Sequence, residues 1–246
     1  MNFLPNLLIA LIFFSSPLFA LEPLNVGVES FDPPFVIQQG SNAVFGFDID
    51  MMNSLCKKID RTCRFKIMKF DDLIPAVANK TVDVAVSSIT ITSDRSKLVN
   101  FSAPYLLSYS RFLSKKLTNK TSFGLNLLNG KRIGIVTGTI FVQQLQDMGV
   151  KDPVIVYFDR VQESLEALSS DDVDFLLVDN PTALYWETNS SGAFAAVGPP
   201  YMYGYGLGIA VNNTDAGMLK SINQALIQYQ ASTDYKNNFE TYLQQF

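Results

Sequence analysis

Short strand-length runs alternate with amphipathic helices along this chain, and the alternation occurs twice. Residues 24–28 (LNVGV), 64–68 (RFKIM) and 82–86 (VDVAV) are the first three strands. Between them, 48–59 and 72–79 read as helices, the former with Ile49, Met52, Leu55 and Ile59 at helical spacing. A short helix at 123–128 leads into a second set: strands 131–136 (KRIGIV), 154–158 and 173–178, helices 140–148, 161–169 and one starting at 181. A β-α-β-α-β order returns each strand in the same direction and argues for a mostly parallel sheet. No Pro/Gly/Ser-rich linker separates the two sets, so two lobes joined by crossing strands are predicted. The crossings are expected at 108–111 and 203–206. Residues 31–35 (FDPPF) read as a loop, because Pro33 and Pro34 cannot continue a ladder. Residues 36–43 read as a polar turn, 99–102, 108–113 and 203–211 as extended, and 215–230 and 233–244 as closing helices.

In parallel α/β sheets, ligands bind beyond the carboxyl ends of the strands. Four strands here end in polar or charged residues: NVGV in Glu29, VDVAV in Ser87 and Ser88, RIGIV in Thr137 and Thr139, and DFLLV in Asp179. The second of these runs on as SSITITSDR, which adds Thr90 and Arg95. Hydroxyls and backbone N–H groups make a polar cradle, and an arginine adds a planar fork suited to a carboxylate. The helix start after Gly138 also favours an anion. Plainer readings exist for each residue. Ser and Thr are common helix caps. Asp179 before Asn180-Pro181 has the look of a cap, Phe70 of core, and Asp48 and Asp50 of solvated or capping acids at a helix start.

Composition closes several routes. The 246 residues are enough for one large or two medium domains with sizeable cores. A formal net charge of −4 with no basic run argues against nucleic acid. The chain has no histidine, which removes Ser-His-Asp and Cys-His nucleophiles and every His-ligated metal site. The absence also predicts little change in affinity between pH 6 and 8. The two cysteines, Cys56 and Cys63, cannot make a four-cysteine cluster, and no cofactor is expected. The apolar run 7–14, Pro17 and Ala20 read as a signal peptide over 1–20, although no Lys or Arg precedes the run; an uncleaved anchor is the alternative.

The order GFDID (46–50), LIP (73–75), SSITITSDR (87–95) and FSAPY (101–105) resembles the bacterial extracellular solute-binding proteins of the polar-amino-acid family. Those are the periplasmic receptors of ABC importers for arginine, lysine, ornithine, histidine or glutamine. The resemblance covers nearly all of the chain after the signal segment. It implies a two-lobed, type II periplasmic-binding-protein fold with two hinge crossings, one lobe formed by 23–108 and 206–246 and the other by 109–205. It implies a monomer in the periplasm that binds a small-molecule amino acid and docks on the membrane subunits of an ABC transporter. Arg95, with Thr139 and Ile140, would hold the ligand's α-carboxylate and Asp179 its α-ammonium; Ser87, Ser88 and Thr90 would add hydrogen bonds, and Phe70 would lie along the ligand side chain. Export makes a disulfide between Cys56 and Cys63 expected, as the family also implies. So short a loop would contribute about 2 kcal/mol.

Two departures from the family's pattern bear on the ligand. Many relatives carry a ring at the place of Asp32, and basic-amino-acid relatives often have G-T-T-Q where this chain has Gly138-Thr139-Ile140-Phe141. The sequence leaves open whether Phe31 or Asp32 faces the pocket. Glu29 and Asp32 are expected at its side-chain end, where a neutral ligand would leave them unpaired. Phe141 could offer its face to a cation. Arginine is therefore expected before lysine or ornithine, with glutamine as the neutral alternative. The same fold also hosts dehydratases, for which Glu29, Asp32 or Asp179 would have to act as acid or base.

Overall fold

A computed structural model describes residues 22–40, 43–116 and 123–244. The expected signal segment lies outside these residues. The elements follow in order. They are β1 (Leu24–Val28), β2 (Phe31–Asp32), β3 (Val36–Gln39), β4 (Ala43–Phe45), α1 (Phe47–Lys58), β5 (Cys63–Ile67), α2 (Leu73–Ala78), β6 (Val84–Ala85) and β7 (Asn100–Phe101). Then come β8 (Tyr109–Lys115), β9 (Arg132–Val136), α3 (Phe141–Asp147), β10 (Val154–Phe158), α4 (Val161–Ser169), β11 (Phe175–Asp179), α5 (Asn180–Asn189) and β12 (Phe194–Met202). The chain closes with β13 (Ala210–Val211), α6 (Ala216–Gln230) and α7 (Thr233–Tyr242).

Two five-stranded sheets carry the fold, in the orders β5-β1-β6-β13-β7 and β10-β9-β11-β8-β12. Each has a parallel trio at one side, β5-β1-β6 and β10-β9-β11, continued by antiparallel strands. In each trio the first strand in sequence lies in the middle, so chain direction reverses beside it. That is where a parallel sheet opens a crevice for a ligand. The first sheet borrows β13 from the chain's return, which ties the two halves of that lobe together.

The chain passes between the sheets twice, over residues 102–108 and 203–209. The two passages pair with each other: the Leu207 N–H donates to the Leu106 carbonyl (2.8 Å) and the Tyr105 N–H to the Leu207 carbonyl (2.9 Å). The first passage precedes the position expected from the sequence, since Ser110 and Arg111 already pair inside the second sheet.

Other differences have local causes. Residues 36–39 are a strand and not a turn. With β2 and β4 they form a small antiparallel sheet, in which Ile37 pairs with Phe31 and Phe45. The peptide between Pro33 and Pro34 is cis. The strand β12 was not legible because it contains Pro199 and Pro200; its register shifts between Val197 and Tyr201, where prolines are tolerated.

Helix α1 shows how sequence sets placement. Phe47, Met51 and Leu55, together with Met52 and Cys56, are buried against β1, β13 and α6. Its start depends on Gly46, at φ +129°, where any Cβ would run into the Phe35 carbonyl. Its end is joined by the Cys56–Cys63 disulfide to the first residue of β5. Each lobe has its own apolar core, and a third cluster runs across the gap: Phe70, Leu73 and Ile89 from one side meet Val136, Val161 and Val178 from the other. The lobes are therefore closed on each other.

Candidate functional site

A cavity lies between the sheets at the strand ends. It is lined by Glu29, Asp32, Phe70, Ser88, Thr90 and Arg95 from the first lobe and by Thr139, Ile140, Phe141 and Asp179 from the second, with Val136, Val161, Leu177 and Val178 completing the wall. Ten of the eleven residues predicted from sequence line it. The eleventh, Ser87, is fully buried one layer behind, where its Oγ accepts the backbone N–H of Glu29 (3.1 Å).

Glu29 follows directly on β1, so its position is fixed by the sheet. Its carboxylate is held far above the ordinary range, first by burial and then by Asp32, Asp179 and Asp48. Asp32 ends β2, and adjacent strand residues face opposite ways. The structure thus answers the question left open: Asp32 faces the cavity, while Phe31 turns outward against Trp186, ring centroids 6.1 Å apart.

Asp32 is not, however, at the side-chain end beside Glu29 alone. Its Oδ2 accepts the Ser88 hydroxyl (2.8 Å), and its Oδ1 accepts the Thr182 hydroxyl from α5 (2.8 Å). The same Ser88 Oγ stands 3.2 Å from Asp179 Oδ2. Asp179 opens α5 but makes no side-chain cap, so the plainer reading of it as a helix cap does not hold. Burial raises its carboxyl first and Asp32 next, with Ser88 and Arg95 opposing. Burial raises Asp32 to about 6, against the hydrogen bonds of Thr182 and Ser88.

Ser88 has φ +44°, a left-handed backbone that a serine enters only when held there. The holder is Asp48, whose Oδ2 accepts the Ser88 N–H (2.8 Å) and the Tyr105 hydroxyl (3.0 Å). Asp48 is wholly buried, and its Oδ1 has no partner among the described residues. It is neither solvated nor a cap. Burial lifts its carboxyl to about 7. The sequence did carry a signal, since Asp48 shares a helix face with Met52 and Leu55, and an acid on an apolar stripe asks for a partner. Thr182 and Tyr105 were missed altogether.

Arg95 leaves its loop to lie over the Phe70 ring, 5.3 Å from the centroid. It donates from Nη1 to the Thr90 carbonyl (2.8 Å) and from Nη2 to the Gly138 carbonyl across the gap (2.9 Å). Burial lowers its guanidinium to about 10, with Asp179 and Asp71 opposing, so it stays charged at neutral pH. Thr90 bonds Ser108 (Oγ to Oγ, 2.9 Å). Thr139 gives both its N–H (3.2 Å) and its hydroxyl (2.7 Å) to the Val136 carbonyl, so its backbone donor is already engaged. Ile140 and the buried Phe141 bring the start of α3 to the cavity.

Three lining carboxyl groups, Glu29, Asp32 and Asp179, with Asp48 buried behind them, thus share the cavity with Arg95. Asp32 and Asp48 titrate near 6 and 7. Buried carboxyls thus occupy the window that histidine would have, a source of pH dependence that the absence of histidine does not remove. Among the described residues no group of acids, cysteines or histidines is arranged to hold a metal, and no helix is long and apolar enough to cross a membrane.

A closed two-lobed α/β protein with its polar strand ends turned into one cavity is a binding protein in architecture. The sequence model of the bacterial extracellular solute-binding proteins, family 3, matches residues 24–245, and the chain belongs to that family. It is 34% identical over 220 residues to "ABC transporter arginine-binding protein 1" of Escherichia coli (strain K12), covering 88% of this chain and 89% of that protein. Among solved structures it is similar to an arginine 3rd transport system periplasmic binding protein from Legionella pneumophila (TM-score 0.83, 30% identity, 90% of this chain and 99% of the other). It is also similar to an ancestral arginine-binding protein bound to glutamine (TM-score 0.81, 32% identity, 90% and 97%). The fold is the type II periplasmic-binding-protein fold.

Proposed function

We propose that this chain is the periplasmic receptor of an ABC amino-acid importer and binds a cationic L-amino acid, arginine before lysine or ornithine, as a monomer. The observation that carries this reading is the charge imbalance of the cavity: three buried carboxyls line it, Glu29, Asp32 and Asp179, with Asp48 behind them, against Arg95 as the lining cation. A ligand with two cationic ends relieves it, and a neutral or acidic side chain leaves Glu29 unpaired in a desolvated wall.

The ligand's α-carboxylate would take the free N–H groups of Arg95 and the start of α3 at Ile140 and Phe141. Its α-ammonium would lie on Asp179, its methylenes along Phe70, and its guanidinium near Glu29 and Phe141. Arginine's planar fork and flat faces suit a carboxylate and aromatic rings better than a point charge does. The names of its relatives point the same way. Residues 23–108 with 206–246 would form one lobe and 109–205 the other. The lobes would open about the paired passages 102–108 and 203–209, expose the cavity, then close on the ligand and dock on the importer's membrane subunits.

The test is a thermal-shift panel of the twenty amino acids with ornithine and citrulline, on protein unfolded and refolded to strip bound ligand. A ligand that binds only the native state raises apparent stability by mass action. The largest shift is expected with arginine, a smaller one with lysine and none with citrulline. A shift with glutamine alone overturns the cationic reading. A dehydratase would instead convert its ligand, so recovery of bound ligand unchanged separates receptor from enzyme.

A further inference from the structure

One hydroxyl lies between two acids in this cavity. Ser88 has a single O–H, yet Asp32 Oδ2 at 2.8 Å and Asp179 Oδ2 at 3.2 Å both stand within its reach. It can serve only one at a time. The other is left facing its neighbour's charge in a dry site, and Asp179 and Asp32 belong to different lobes. Asp32 also takes the Thr182 hydroxyl at the start of α5, so its two oxygens bridge the lobes. The backbone that carries this hydroxyl is held in place, because the Ser88 N–H is fixed on Asp48.

The groups facing this pair are known from every side. Glu29 after β1 and Asp48 on α1 are acids, Tyr105 is a neutral donor to Asp48, and among the described residues Arg95 is the one cation. Arg95 acts on Asp179 but spends two of its donors on the carbonyls of Thr90 and Gly138. Two like charges in such a place resist ionising together, so the pair holds its last proton to a higher pH than either acid would alone.

We infer that Asp32 is an interlobe clasp, sharing one proton with Asp179 through Ser88 in the ligand-free closed form, and that the ligand's α-ammonium displaces that proton on binding. The inference rests on the receptor reading and deepens it. In the exchange an O–H bond on the carboxyl pair breaks, the proton leaves to buffer, and the ammonium takes its place between the carboxylates. The ligand thereby converts a protonated clasp into an ion-paired one. Capture is then linked to proton release, and affinity falls as the medium becomes more acidic. The sign follows from the shifts. Asp32 titrates near 6 when the site is empty, and its charged form is the one the ligand needs, so binding at pH 5.5 must expel a proton that is already gone at pH 8.

The experiment is calorimetric titration of the refolded protein with arginine at pH 5.5, in buffers of different ionisation enthalpy, with the dissociation rate followed in parallel. At that pH wild type should release most of one proton per ligand, and its affinity should fall about fourfold from pH 8 to pH 5.5. In Asp32→Asn the carboxamide can still accept from Thr182 and donate to Ser88, leaving the Ser88 hydroxyl to Asp179. Proton release should largely vanish there and the pH profile should flatten. Thr182→Val keeps the carboxyl pair and cuts the bridge, so proton release should persist while dissociation quickens several-fold. Unchanged proton release in Asp32→Asn, or an unchanged dissociation rate in Thr182→Val, overturns the inference. Arginine binding to wild type with no proton release overturns it alone. A wild type that binds no cationic amino acid overturns the receptor reading and this inference with it.

Discussion

The two walls of the cavity are built on different principles. The first lobe brings Glu29, Asp32, Ser88, Thr90 and Arg95, and behind them Asp48 and Tyr105 hold the layer in place by hydrogen bonds at 2.8 and 3.0 Å. The second lobe brings Val136, Ile140, Phe141, Leu177 and Val178, with Asp179 its one ionisable group at the cavity. One wall is a charged template tied together largely by its own hydrogen bonds, and the other is a mostly apolar cover carrying a single acid. The difference teaches an order of events: a charged ligand would be recognised on the template, and the cover would exclude water and strengthen what the template has begun.

Removing the cover's one charge is the strongest way to break this comparison. Asp179→Asn leaves the ligand's ammonium without its own carboxylate in a desolvated site. Arginine affinity should drop about 30-fold or more, a cost of roughly 2–5 kcal/mol for losing one partner of a buried charge pair. Titration calorimetry reads it. A drop smaller than about threefold would mean that the first lobe binds unaided.

A weaker perturbation leaves both walls' chemistry intact and holds them apart. Gly138 has φ +80°, and a Cβ there would lie 2.8 Å from the Asp71 Cα on the facing lobe. Gly138→Ala should therefore obstruct closure. We expect about tenfold weaker arginine binding, mostly through faster dissociation, and a larger radius of gyration with ligand by small-angle scattering. Wild-type dissociation in this variant would show that the cover closes elsewhere.

How much of this was legible follows the same division. The alternation of strands and helices, the Cys56–Cys63 bridge and the polar strand ends could be read directly, because parallel sheets present their carboxyl ends to one crevice. The strand β12 could not, since Pro199 and Pro200 mask it. Asp32 lines the cavity, but its contacts could not be read: nothing in a linear pattern tells that Ser88, 56 residues later, would stand between it and Asp179. Asp48 read as a helix-start acid because capping is local and visible, whereas its contact with Ser88 is tertiary. The supporting layer is what local patterning leaves out, and with it the carboxyls that burial raises.

The most direct test of the central claim, that the template selects a cationic side chain, compares arginine with citrulline on the wild type and on Glu29→Gln. Citrulline keeps the shape and loses the charge. The wild type should prefer arginine by about 100-fold, and Glu29→Gln should shrink that preference to about tenfold or less while leaving citrulline unaffected. Equal affinities for the two ligands in the wild type, or an undiminished preference in Glu29→Gln, would contradict the account.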